Sequence, residues 1–224
     1  MDPLVLVNSS KKLTDKTKEK ISDRMKLVKS SVSEIQTISG ISYPDYYVEP
    51  LLTISVSPDN PSGIALLYAR TIPVETGGKV VILVQLSAAL ILFATKATLK
   101  LVMAHELLHY IELIKKFSMG DVSSEITSNY FFEEMYQDSS RAIGPEKVFP
   151  KRRKLTKDLG SNFQGGLWND KLSEKCRKSW IEKGLPTVKI SLGSNQVKVS
   201  MQALARSNFD PKVVQLVQNL KSSQ

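Results

Sequence analysis

A chain of 224 residues with 42% hydrophobic and 24% charged side chains has the composition of an ordinary globular protein, long enough to bury a sizeable core. Thirty-one Lys and Arg against 22 Asp and Glu leave a net charge of +9, which favours acidic partners without naming one. The single cysteine, Cys176, excludes an internal disulfide and a multi-thiolate zinc cage, so a metal site would have to come from His and carboxylates.

In chain order, the short apolar run Pro3 to Val7 has no basic stretch ahead of it, and no secretory signal is expected. From Lys11 to Ile38, Leu13, Ile21, Met25, Val28, Val32 and Ile35 recur at helical spacing, and Gly40 ends the pattern. Leu51 to Ser57 and Ile64 to Arg70 read as two strands around a Pro-, Asn- and Gly-containing turn. Gly77 and Gly78 introduce a third strand, Lys79 to Gln85. The most apolar stretch, Val80 to Ala94, is shorter than the roughly 20 residues of a spanning helix. It reads as a buried strand running into a helix, so no membrane span is expected and the expected compartment is the cytoplasm. Thr95 can cap a helix reaching about Phe117, and Asp121 a further helix to about Ser139.

After Ala142 the composition shifts. Between Arg141 and Lys189 there are 13 Lys or Arg against five acids, so this segment holds +8 of the net charge. Its glycines and Pro150 suggest loops, with a short helix near Lys171 to Lys183. Thr187 to Leu192 and Gln196 to Ser200 alternate at strand period around Gly193, Ser194 and Asn195, predicting a hairpin. Asp210 and Pro211 open a last helix.

The chemistry is concentrated in Val102 to Ile111, VMAHELLHYI. His105 and His109, four apart on a helix, project from one face and can hold one metal ion. Glu106 can reach a water in an open metal position and act as general base. These are the only two histidines in the chain. The surrounding residues are apolar, so burying the polar trio without satisfying it would be costly. A catalytic zinc takes three protein ligands, and the third is expected to be a carboxylate of the following helix. Asp121, Glu125, Glu133, Glu134 and Asp138 are the candidates; Glu125 is followed four residues later by Asn129, and Glu134 by Asp138. Hairpin geometry places one pair or the other level with the histidines, depending on where the first helix ends.

His105, Glu106 and His109 with a downstream glutamate resemble the gluzincin zinc metallopeptidases, including their smallest members. Glu125, Asn129 and Phe131 are similar to the glutamate helix of ImmA/IrrE-type proteins. The likeness covers roughly residues 50 to 140. It implies Zn2+ held by His105, His109 and Glu125, with Asn129 orienting the third ligand, Glu134 the alternative, and Glu106 catalytic. It further implies hydrolysis of peptide bonds in a protein or peptide substrate, which pairs with an edge strand that Lys79 to Gln85 would supply. Tyr110, Tyr130, Tyr136 and Arg141 are the candidates for stabilising the oxyanion. The implied fold is α+β and zincin-like: a small mixed sheet packed on the HExxH helix and a following glutamate helix. Residues 1–142 would form the peptidase core with its N-terminal helix, and residues 143–224 a basic C-terminal region. In small gluzincins such an appendage can cover the cleft and hold the enzyme latent.

Lys151, Arg152, Arg153 and Lys154 form a basic run suited to nucleic acid or an acidic protein. A competing expectation is therefore a DNA-associated or regulatory module that keeps the peptidase scaffold and works through residues 141–189.

Overall fold

A computed structural model describes residues 2–56, 64–119, 126–127, 130–134, 143–163, 167, 169–191 and 196–221. The chain is α+β. A short helix α1 (Val5–Ser9) precedes the long α2 (Asp15–Ser39), which starts where the Thr14 side chain accepts from Thr17 N–H. Its inward stripe is Ile21, Met25, Val28 and Ile35, the helical spacing read from the sequence. Gly40 stops it in the left-handed conformation, φ 71°, with its N–H bonded to the Gln36 carbonyl.

Strands β1 (Tyr46–Glu49), β2 (Leu52–Val56), β3 (Ile64–Leu67), β4 (Ala69–Thr76) and β5 (Lys79–Ser87) follow. The expected β2–β3 hairpin forms, with Val56 opposite Ile64. The second run does not end at Arg70, however. At Tyr68 the chain leaves one sheet and enters another as β4, which pairs antiparallel with β5 across Gly77 and Gly78. Both glycines have positive φ, 57° and 70°, as a two-residue turn between twisted strands requires. Pro73 hides β4 from a sequence reading, because proline is scarce in strands except at edges. β4 is such an edge, in a mixed sheet of order β1-β5-β4.

From β5 the chain passes directly into α3 (Ala88–Phe93), capped by Ser87 Oγ accepting from Leu90 N–H at 3.1 Å. Thus Val80 to Ala94 is a buried strand and helix, as expected. Then α4 (Lys96–Met119) carries the HExxH residues, and Thr95 Oγ1 accepts from Thr98 N–H at 3.1 Å at its start. No helix among the described residues is long and apolar enough to cross a membrane.

The helix expected from Asp121 to about Ser139 is not what the described residues form. Ile126–Thr127 is strand β6 and Tyr130–Glu134 is strand β7. The β-branched and aromatic content of ITSNYFF outweighs its helical spacing, and a partner is at hand in β9. Next come α5 (Pro145–Val148), α6 (Arg153–Asn162) and α7 (Asp170–Cys176), the last continuing as a π turn through Ile181. The first two occupy a stretch expected to be loop-rich. β8 (Thr187–Ser191), β9 (Gln196–Ser200), α8 (Met201–Ala205) and α9 (Pro211–Lys221) complete the chain.

β8 and β9 are strands as expected, but they do not pair with each other. β8 adds parallel to β2, giving the mixed sheet β3-β2-β8, and β9 pairs antiparallel with β7 in the sheet β6-β7-β9. One continuous hydrophobic core joins α4 to α2, to the sheet containing β5, and to Phe149, Leu159, Trp180, Val213 and Val217 from beyond residue 142. The segments that composition separates at 142/143 therefore share a core and a sheet. Each fully buried Leu, Ile or Trp there contributes on the order of 1.5–3 kcal/mol.

Two outcomes follow from these positions. A Cβ added at Gly40 would meet nothing within 4 Å, so Gly40→Ala should cost only the left-handed conformation, about 1 kcal/mol in urea denaturation. Cys176 is fully buried, and its thiol is pushed up to about 11 by that burial. Iodoacetamide at pH 8 should therefore label the folded chain far more slowly than the urea-unfolded one; equal rates would contradict its placement.

Candidate metal centre

α4 is enclosed on several sides, packing against α2, β4, α6 and α9. Val102 to Leu108 are all buried, including His105 at 3% exposure and Glu106 at 4%, while His109 is only partly covered. The apolar majority is dictated by this surrounding. A helix with neighbours on so many sides needs apolar residues around most of its circumference, not along one stripe.

Within that setting the HExxH spacing produces what helix geometry demands. The Nε2 atoms of His105 and His109 lie 3.0 Å apart, with ring centroids at 4.5 Å and the rings nearly perpendicular at 85°. Two histidine nitrogens on one tetrahedral zinc are separated by about 3.3 Å, given Zn–N of about 2.05 Å. At 3.0 Å the two nitrogens are somewhat closer than two ligands of one ion would be. The spacing is that of an N–H of one ring donating to the other.

Glu106 is held by β4. Thr71 Oγ1 lies 2.8 Å from Glu106 Oε2 and 3.0 Å from the Glu106 carbonyl oxygen, and the hydroxyl donates to the carboxylate at the shorter distance. A carboxylate at this depth needs such donors, since burying it unpaired is strongly unfavourable. Tyr43 supports the same turn from the α2–β1 connection, its phenol donating to the Met103 carbonyl at 2.9 Å. Burial raises the Tyr43 pKa well above the usual tyrosine range, and the negative charge of Glu106 raises it further. The phenol therefore stays protonated as a donor. Tyr110 is one turn beyond Glu106 on the same face, and burial, with Asp210 and Asp45 nearby, pushes its pKa up to about 12.

The basic region enters the site through Phe163, the residue that follows α6. Its ring lies flat on His105, centroids 3.7 Å apart and planes within 12°. Sequence reasoning missed Phe163, Thr71 and Tyr43. Thr71 lay in an unrecognised strand, and Phe163 in a stretch read as loop. Tyr43 carries no local signal at all, because its role depends on a contact 60 residues away.

The side chains expected to supply the third ligand lie outside the described residues. Glu125 and Asn129 lie outside the described residues, as do Tyr136 and Arg141. Glu134 and Glu133 belong to β7, a strand rather than the expected helix, and their side chains lie outside the described set. Among the described residues no group of three or more His, Cys, Asp or Glu is placed to hold a metal ion. The substrate-pairing edge expected of Lys79 to Gln85 also changes. β5 is the central strand of its sheet, with β1 and β4 on either side, and the strand that reaches α4 is β4. Comparison with protein-family models, with curated proteins and with solved structures finds no match.

Thr71→Val should lower stability by about 1–3 kcal/mol, since it removes the donor to a buried carboxylate oxygen. A double-mutant cycle with Glu106→Gln, read by urea denaturation, should give a coupling energy above about 0.5 kcal/mol. Additive effects would show that the two side chains do not interact.

Proposed function

We propose that this chain is a zinc-dependent metallopeptidase that hydrolyses peptide bonds of a protein or peptide substrate. The observation that supports this reading is the convergence of His105 and His109 Nε2 to 3.0 Å, with Glu106 adjacent and held by Thr71 in an otherwise apolar interior. His105 and His109 would hold the ion through Nε2. Glu125 is the proposed third ligand, with Asn129 orienting it and Glu134 as the alternative. The donor set of two imidazoles and a carboxylate suits zinc best among the common divalent ions.

A bound zinc supplies a Lewis acid that brings the pKa of a water towards about 7 and polarises a peptide carbonyl. The remaining chemistry belongs to this chain. The Glu106 carboxylate accepts a proton from the attacking water and returns it to the leaving amine. Thr71, by donating to Oε2, holds that carboxylate in one orientation and so limits the ordering needed during reaction. Phe163 keeps the His105 ring from turning and excludes water from one of its faces.

Metal content by mass spectrometry, with a peptide-hydrolysis assay, tests the proposal. The expected result is about one zinc per chain, lost in His109→Ala and weakened in Glu125→Ala. Glu106→Gln should keep its zinc while turnover falls by roughly 10²–10⁴ or more. A chain that takes up no zinc when it is supplied would overturn the reading.

A further inference from the structure

The strongest concentration of charge lies away from the histidines, on α6 and the segment leading into it. Lys147, Lys151, Arg152, Arg153, Lys154 and Lys157 are all exposed, and none forms an ion pair among the described residues. Two acids lie nearby in sequence. Glu146 turns its carboxylate back over Gly144, where an added Cβ would collide with it, and Asp158 is half-buried on the helix. α6 is sharply two-sided: Leu155 and Leu159 face the core, and the cations face out.

The arrangement also opposes the helix's own electrostatics. α6 begins without a side-chain cap and with no acid in its first turn; Arg152, Arg153 and Lys154 sit instead at its positive end. Cations there repel both one another and the dipole, a cost that a bound anion removes. Protein–protein contacts normally need an apolar anchor. The exposed large hydrophobic residues among those described are Val5, Leu6 and Val188, none of which is on this face. A surface whose described residues are Lys and Arg without ion pairs or apolar anchors fits a phosphate backbone better than an acidic protein.

We propose that the outer face of α6 and its lead-in form a nucleic-acid docking surface, binding the phosphate backbone without sequence preference. This inference does not rest on the metal reading. The test is fluorescence anisotropy of the full chain with a labelled 20-bp duplex over a range of salt. The comparison is between wild type, Arg153→Ala/Lys154→Ala/Lys157→Ala, and a control of equal charge change, Lys16→Ala/Lys20→Ala/Lys26→Ala on α2. Circular dichroism and thermal unfolding confirm that each variant is folded. The α6 variant should lose at least roughly tenfold in affinity at moderate salt. Its slope of log affinity against log salt should shrink by about 0.9 for each cation removed. The control should bind nearly as tightly as wild type. Equal losses in both variants would show that net charge alone acts, and would overturn the proposal. So would an absence of duplex binding at low salt, or displacement by polyglutamate as effective as by unlabelled duplex at matched charge, which would point to an acidic protein.

Discussion

Burying a glutamate and a histidine inside a helix that is apolar around most of its circumference is the constraint around which this molecule is arranged. Glu106 and His105 are almost inaccessible, and each needs a partner at that depth. β4 brings Thr71 to the carboxylate, and His109, one turn along the helix, meets the His105 ring. Distant parts of the chain close around them: the α2–β1 connection brings Tyr43 to the Met103 carbonyl, and Phe163, which follows α6, stacks on the imidazole. An ordinary core helix requires only apolar contact. This one also requires particular polar partners, placed by Thr71 and by the His109 ring.

The convergence of the two histidines in the candidate site was legible because it is local. A four-residue spacing on a helix fixes the relative direction of two side chains whatever surrounds them, so His105 and His109 could be paired from sequence and Glu106 placed beside them. Local signals also located α2 with its Gly40 stop, the Thr95 cap of α4, and the passage from β5 into α3. They failed where a distant partner decides the outcome. ITSNYFF carries both a helical spacing of Glu125 to Asn129 and a β-rich composition, and pairing with β9 across more than 60 residues favours the strand. The turn signal at Gly193 to Asn195 predicted that β8 and β9 would pair with each other, yet each finds a better edge elsewhere. Pro73 obscured β4, the strand that reaches Glu106. Secondary structure written in local propensity survives; pairing, which is a tertiary event, overrides it.

The C-terminal third is likewise more than its composition suggests. Its charge drew attention to a solvated basic segment, but the apolar residues spaced among the lysines are what integrate it. Leu159, Phe163, Leu172, Trp180, Val213 and Val217 join the core of α4 and β5. The Trp180 indole donates to the Pro186 carbonyl at 2.9 Å, directly ahead of β8. One amphipathic helix, α6, therefore has two distinct sides: its inner side and trailing Phe163 complete the wall beside His105, while its outer side carries cations that form no ion pair among the described residues. Ten residues at 1.5 Å rise make α6 about 15 Å long, and Phe163, directly after its last turn, lies on His105.

The parallel pairing of β2 with β8 joins residues 52–56 to residues 187–191. A chain emerging from the ribosome N-terminus first completes β1 to β5 and α4 long before β8 exists, leaving one side of β2 without a neighbour and α4 without Val213 and Val217. At about 5–20 residues per second this incomplete state lasts on the order of ten seconds. During that interval an unpaired strand and the apolar flank of α4 are open to other chains. The helix that carries the histidine pair acquires its finished surroundings only once Val213 and Val217, which join its core, have been made.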